Sequence, residues 1–208
     1  MDTQALGDAI VHLGQMKSGE LKVGASVDAQ VNAIRWDIMA NHTATHLLHA
    51  ALRKHLGDAV IQRGSLVDAQ RLRFDFAYPD PLTTAQCQAL ELQINRWIAD
   101  NLQGTTEMMS IEAAQAQGAL ALFDEKYADS VRVVSYGSSS KELCGGTHLK
   151  STAEVGLFIL IQETGIASGV RRIEAVTRTQ AYLYASQLNG MVQEASGLLR
   201  AQPEQLIE

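Results

Sequence analysis

Apolar and polar positions alternate in short runs over the first forty residues. Ile10-Val11-His12-Leu13 ends at Gly14, Leu21-Lys22-Val23 ends at Gly24, and Val27, Ala29, Val31 and Ala33 are separated by polar side chains. A period of two punctuated by glycine predicts short strands, and these pieces suit a partial small β-barrel over residues 1–35. The period then changes: Leu47, Leu48, Ala51 and Leu52 form an apolar stripe at helical spacing, predicting a helix from about Trp36 to His55 that Gly57 stops. Residues 60–67 and 72–76 return to strand patterning as a pair. In the second of them Leu72, Phe74 and Phe76 share one face while Arg71, Arg73 and Asp75 share the other, before Pro79 and Pro81 break the pattern.

Leu90, Ile94, Trp97 and Ile98 predict a second long helix over 84–101, and a shorter helix over 111–118 follows a strand at 105–109. Strands are expected again at 131–135, 156–162 and 170–176. Helices and strands mix without βαβ alternation, so the expected class is α+β, a mixed or antiparallel sheet packed with helices. From Thr179 the chain reads as one more helix with little hydrophobic surface of its own, a linker that calls for a partner outside this sequence. The expected organisation is therefore a partial barrel (1–35), a core (36–177) and a truncated helical linker (178–208).

Composition limits the functional classes. Hydrophobic residues make up 46% and charged residues 19%, with 3 prolines, enough apolar material for a packed core and too little bias for disorder. A net charge of −6 argues against binding nucleic acid by bulk electrostatics, yet the stretch from Arg53 to Arg73 holds five basic side chains against two acidic ones. No apolar run approaches the roughly 20 residues of a membrane span, and the start lacks the order of a signal peptide. A cytoplasmic protein without a membrane partner is expected. Cys87 and Cys144 make no disulfide framework, which fits a reducing compartment and leaves a thiol for other chemistry.

The first helix carries His42, His46 and His49 on one face. The outer two lie roughly 10 Å apart along the axis, so one ion takes an adjacent pair, and spacing leaves open which pair. A second donor set follows in Glu142-Leu143-Cys144-Gly145-Gly146-Thr147-His148, where two glycines let a thiol and an imidazole four residues apart converge. Two donors from a helix and two from a bent loop make a Cys-His₃ set suited to tetrahedral Zn²⁺. Cys87, with no histidine nearby in its helix, reads as a packing residue. The helix sequence His42-Thr43-Ala44-Thr45-His46 lacks the glutamate of a His-Glu-x-x-His peptidase, the deaminase pattern is missing, and no phosphate-binding P-loop occurs.

Four segments together resemble the editing domain of bacterial alanyl-tRNA synthetase: residues 41–52 (Asn-His-Thr-Ala-Thr-His-Leu-Leu-His-Ala-Ala-Leu), Gly64-Ser65-Leu66 with Arg73-Phe74-Asp75-Phe76, residues 142–148, and Gly169 to Val176. A related form occurs in free-standing trans-editing proteins. The resemblance implies hydrolysis of the ester joining a wrong amino acid, serine or glycine, to the 3′ end of tRNA(Ala). It implies zinc ligands His42, His46, Cys144 and His148, with His49 a neighbour, and a substrate pocket that includes Gln62 and Thr45. Gly145 and Gly146 are expected to border the substrate. The partners it implies are the acceptor end of tRNA(Ala) and the remainder of a synthetase chain. The glycine-rich segment and first strands that normally precede this region in the family are not in this sequence, nor are the class II charging motifs. The resemblance therefore implies a fragment starting inside the barrel and ending in the linker.

Physical reasoning gives these roles content. Thr45 lies three residues from His42, a neighbour on the helix surface whose hydroxyl can read a seryl oxygen. A pocket built for alanine rejects an added hydroxyl by only about 10²-fold, so a second site that hydrogen-bonds the hydroxyl is needed to sort the products. Arg73, Arg171 and Arg172 are expected to contact phosphates or buttress the site, unless they are ion-paired, as Arg172 with Glu174. Four protein ligands close the shell of a zinc ion, whereas chemistry at the metal needs an open position, so structural and catalytic roles both stand. A zinc-stabilised tRNA-binding module without chemistry and a zinc hydrolase of small esters or amides are the alternatives.

Overall fold

In the computed structural model, which describes residues 2–7, 9–121 and 130–207, residues up to Asn32 form a unit of their own. It holds one antiparallel hairpin, β1 (Asp2–Leu6) and β2 (Ala9–Leu13), turned at Gly7 with φ of 60°. Residues 21–23 and 27–33, expected as strands, form none, and no closed barrel exists among the described residues. Val23, Val27 and Val31 are all exposed: the alternation is there, but nothing described covers the apolar face and no strand pairs with it.

The second unit, from Ala33 onward, is an α+β assembly, as the mixed pattern predicts. Helix α1 (Arg35–Leu56) ends at Gly57, whose φ of 97° and backbone N–H to the Arg53 carbonyl close the last turn. β3 (Gln62–Val67) and β4 (Leu72–Ala77) pair antiparallel, and Leu72, Phe74 and Phe76 are fully buried on the face that meets α1. Helix α2 (Thr84–Ala99) starts with a reciprocal cap, Thr83 accepting from the Gln86 N–H while the Gln86 side chain accepts from the Thr83 N–H. It packs Leu90, Ile94, Trp97 and Ile98 into the same core.

β5 (Gly104–Ser110), β6 (Ser130–Tyr136) and β7 (Ser140–Leu143) make a three-stranded antiparallel sheet, with the short α3 (Ile111–Ala116) leaving β5 directly. β8 (Phe158–Ala167) and β9 (Val170–Thr177) complete the other sheet in the order β3-β4-β9-β8, antiparallel throughout. Helix α4 (Arg178–Leu199) then buries only Ala181 and Ser196. It does carry hydrophobic surface, contrary to the sequence expectation: Tyr182, Leu183, Leu188, Met191, Val192, Leu198 and Leu199 all face outward.

α1 is the element that positions the site. A helix at a protein surface buries one stripe, but here residues 40–52 are almost continuously buried, Asn41, Thr43, Thr45, His46 and His49 included. Its apolar stripe faces β4, β9 and α2, and its polar stripe is covered by β7 and the loop after it. Burying five polar side chains requires partners for them, and those partners define the site.

Candidate metal centre

Ligand atoms of His42, His46, Cys144 and His148 all lie within 4.8 Å of one another. The two elements that supply them are distant in sequence. α1 presents His42 and His46 one turn apart; Cys144 follows the last residue of β7, and the loop to His148 folds back over the helix. The Cys144 Sγ is 3.5 Å from His42 Nε2 and 3.3 Å from His148 Nε2. A tetrahedral zinc ion with bonds of 2.0–2.3 Å spreads its ligand atoms about 3.3–3.8 Å apart. The donor types and these two separations fit such an ion, so spacing's open choice between histidine pairs is resolved by the fold: His49 lies outside the cluster.

His42 and His148 turn Nε2 toward the Cys144 sulfur while Nδ1 of each is engaged elsewhere. His42 Nδ1 is 3.3 Å from the Thr147 carbonyl, which can only accept, so the proton sits on Nδ1 and Nε2 keeps its lone pair. His148 Nδ1 is 3.2 Å from Thr43 Oγ1. That hydroxyl also accepts from the Leu149 N–H at 3.2 Å and lies 3.0 Å from the Tyr136 hydroxyl, which donates to the Leu149 carbonyl at 2.7 Å. Every group is satisfied when His148 Nδ1–H donates to Thr43 and Thr43 donates to Tyr136. Metal-ligating histidines show this pattern of outer acceptors as a rule. Burial pushes the Tyr136 hydroxyl up to about 12, keeping it a donor.

The loop is held by β6. Arg132 Nη1 donates to the carbonyls of Cys144 and Gly146 at 2.7 Å each, and the Cys144 N–H donates to the Arg132 carbonyl at 2.9 Å. Gly146 then packs so closely that a Cβ there would stand 2.3 Å from His42 Cε1, whereas a Cβ at Gly145 would meet nothing within 4 Å. One glycine is demanded by packing against the ring; the other leaves an open approach to the backbone.

Electrostatics keep the imidazoles neutral. Burial first, then the neighbouring rings, holds His46 well below the ordinary histidine value, and burial with the His42 and Arg132 charges brings His148 to about 3. His42 is lowered too, chiefly by burial. Burial raises the Cys144 thiol, opposed by the Gly146 N–H at 3.4 Å, so metal uptake at neutral pH must displace the thiol proton. The sign for stability follows: unfolded rings protonate near 6.5 while folded ones do not, so below 6.5 the unfolded state holds more protons. The chelator-stripped chain should therefore lose stability as pH falls, by about 2 kcal/mol at pH 5 from His148 alone. Urea midpoints at pH 7.5 and 5 measure this; equal midpoints would contradict neutral rings.

The remaining sequence-selected residues are dispersed around this cluster. Thr45 is buried and its hydroxyl donates to the Asn41 carbonyl at 2.8 Å. Gln62 opens β3 and is buried, its Nε2 donating to Ser65 Oγ at 3.2 Å. It shares a small cavity of about 80 Å³ with His49, Arg53, Val60 and Leu120. Arg171 Nη2 donates to Glu163 Oε2 at 2.8 Å, its guanidinium lying over Gly165 directly opposite in β8. Arg172 pairs through two nitrogens with Asp75, its cross-strand partner, and not with Glu174, which Arg71 takes at 2.7 Å. Arg73 is the least engaged of the three, with Nε 3.8 Å from Asp75 Oδ1.

Four residues at the site were not singled out from the sequence: Thr43, Arg132, Tyr136 and Glu142. Arg132 left a trace as a cation within the apolar run Val131 to Val134, and Glu142 as the first residue of the Cys-His motif. Thr43 and Tyr136 left none, since either residue type is ordinary in a helix or strand.

Comparison with known proteins matches residues 131–174 to the threonyl and alanyl tRNA synthetase second additional domain. That span covers β6 to β9 with the Cys144–His148 loop but not the helix that bears His42 and His46. Along the whole chain the similarity extends to proteins named alanine--tRNA ligase: 50% identity over 208 residues with that of Legionella pneumophila (strain Lens), 48% over 205 with that of Coxiella burnetii (strain Dugway 5J108-111), and 49% over 209 with that of Pseudomonas entomophila (strain L48). These alignments take in 99–100% of this chain and 24% of each relative, so the chain spans about a quarter of their length. The resemblance read from the motifs is borne out. Among the described residues no helix is long and apolar enough to cross a membrane.

Proposed function

We propose, for a chain that corresponds along its full length to about a quarter of bacterial alanine–tRNA ligases, that it is their proofreading esterase: it hydrolyses Ser-tRNA(Ala) and Gly-tRNA(Ala). The observation that carries this reading is the convergence of His42, His46, Cys144 and His148 to within 4.8 Å in a chain of that kinship. The partners are the acceptor end of the tRNA and the remainder of the synthetase, and the proposed organisation is an N-terminal partial barrel piece (1–35), an editing core (36–177) and a helical linker (178–208).

His42, His46, Cys144 and His148 would hold Zn²⁺, which would supply Lewis-acid polarisation of the aminoacyl group. The chain's own residues do the rest. Thr45, having given its proton to the Asn41 carbonyl, presents an acceptor lone pair, so a seryl hydroxyl donates to it. An alanyl methyl group fills the hydroxyl's space and leaves that acceptor unpaired, the asymmetry by which a hydrogen-bonding site rejects the correct product by as much as about 10⁴-fold, whereas a glycyl group leaves room for a water to donate there instead. Gln62, with Nε2 engaged by Ser65, offers Oε1 to the substrate amino group or to the attacking water. Gly145, with no neighbour above its Cα, lets the ester approach the loop backbone. Water adds to the ester carbonyl, the bond to the ribose oxygen breaks, and that oxygen takes the proton, giving free amino acid and an uncharged 3′ end.

Arg73 is the phosphate contact, having the loosest internal pairing of Arg73, Arg171 and Arg172; Arg171, fastened to Glu163, buttresses β8 against β9. The direct test is deacylation of Ser-, Gly- and Ala-tRNA(Ala) with and without chelator. The expected result is rapid loss of serine and glycine, slow loss of alanine, and abolition by chelator. Thr45→Val should lower the Ser/Ala preference about 10-fold or more, and unchanged discrimination would rule out the hydroxyl as reader. Binding of tRNA with Ser-tRNA left intact would assign the chain to the binding-module reading that four closed ligands favour.

A further inference from the structure

Glu142 is buried to 1% exposure at the end of β7, and a carboxylate out of water is costly unless it is hydrogen-bonded. No lysine or arginine pairs with it among the described residues. Its neighbours are two imidazoles of α1: Oε1 accepts from His49 Nδ1 at 2.9 Å, and Oε2 lies 3.4 Å from His46 Nδ1. His46 Nδ1 is itself fully buried and makes no hydrogen bond among the described residues, so the Glu142 carboxylate 3.4 Å away is the acceptor that a small rotation of the ring would engage. His42 and His148 donate their Nδ1 protons to a carbonyl and a hydroxyl; the acceptor that the described residues place beside His46 Nδ1 is this carboxylate.

We infer that Glu142 is the positioning residue of the cluster: its two oxygens hold the Nδ1 protons of His46 and His49, so that His46 points an unprotonated Nε2 at the other three ligands. The inference rests on the metal reading of that cluster. The carboxylate sits on a strand and both rings on one helix turn, so the pair also fixes the distance between α1 and β7, the two elements that must meet for the donors to converge. His49, outside the ligand set, thereby acquires a role: it shares the carboxylate, fixing its orientation, and one ring alone would leave the carboxylate free to rotate away from His46.

Glu142→Gln tests this with little change of volume. The amide keeps one acceptor for His49 but turns an N–H₂ toward His46 Nδ1, which favours the tautomer with the proton on Nε2, facing the site. Zinc affinity of the full chain, measured by chelator competition, should fall about 10- to 100-fold, the usual consequence of removing an outer partner. An unchanged zinc dissociation constant in a folded Glu142→Gln chain would overturn the inference. The unaltered chain supplies a second readout that does not depend on the variant folding. Long-range ¹H–¹⁵N spectra of the metal-free protein should show both His46 and His49 protonated on Nδ1, and His46 protonated on Nε2 would likewise overturn it. An unaltered chain that binds no zinc but shows Nδ1–H at His46 would instead sink the metal reading and leave the positioning of the ring standing.

Discussion

Cys144→Ala is expected to abolish tight zinc binding and the proposed deacylation together. The sulfur lies within 3.5 Å of two of the three ligand imidazoles, and no other cysteine or carboxylate belongs to the cluster, so nothing described can replace it. Loss of an outer partner costs a site about 10- to 100-fold in affinity, and loss of a ligand must exceed that. The change removes one atom from a half-buried position, so circular dichroism of the variant should match the parent while metal analysis after dialysis finds no zinc. A variant that keeps one equivalent of zinc and full activity toward Ser-tRNA(Ala) would remove the cysteine from the site.

Gly146→Ala should come close to that effect without touching a donor. The added methyl would stand 2.3 Å from His42 Cε1 and 2.8 Å from its Nδ1, distances no real contact reaches, so either the ring or the loop must give way. The loop is tied through both the Cys144 and Gly146 carbonyls to Arg132, which leaves the ring to move and its Nε2 to leave the cluster. Overpacking of this kind costs about 1–3 kcal/mol, and a displaced ligand should weaken zinc about 100-fold. Gly145→Ala, whose methyl meets nothing within 4 Å, should hold the metal as the parent does. Equal zinc affinity of the two variants would show that the loop is looser than its hydrogen bonds imply.

The two glycines show how far sequence reading reaches. Side by side in the motif, they are indistinguishable by composition, and both read as permission for a bend. Only the approach of the His42 ring separates them, and that approach is a contact between residues more than a hundred positions apart. The same holds for Thr45 and Thr43, both hydroxyls between zinc-spaced histidines. Helical spacing drew attention to Thr45, which the fold ties to its own helix; Thr43 proved to be the one bonded to a ring of the cluster, that of His148.

Local pattern sufficed where the physics is local. The helical stripes at Leu47, Leu48, Ala51 and Leu52 and at Leu90, Ile94, Trp97 and Ile98, and the alternation through Leu72, Phe74 and Phe76, all depend on neighbours within a few residues, and the elements formed with bounds close to those expected. The alternation at residues 21–33 did not become strands, because a strand needs a paired edge and a covered face that the chain itself cannot encode locally.

By itself, then, the sequence determined the α+β class, the kinship and a candidate donor set of three helix histidines with Cys144 and His148, since each is written in residue type and spacing over short windows. The tertiary structure decided which histidine stands outside the cluster, which nitrogen of His42 and of His148 faces the sulfur, and which arginines are already paired. Those facts depend on cross-strand register and on partners a hundred residues away, where hydrogen-bond satisfaction inside a buried core, and not any local periodicity, selects the arrangement.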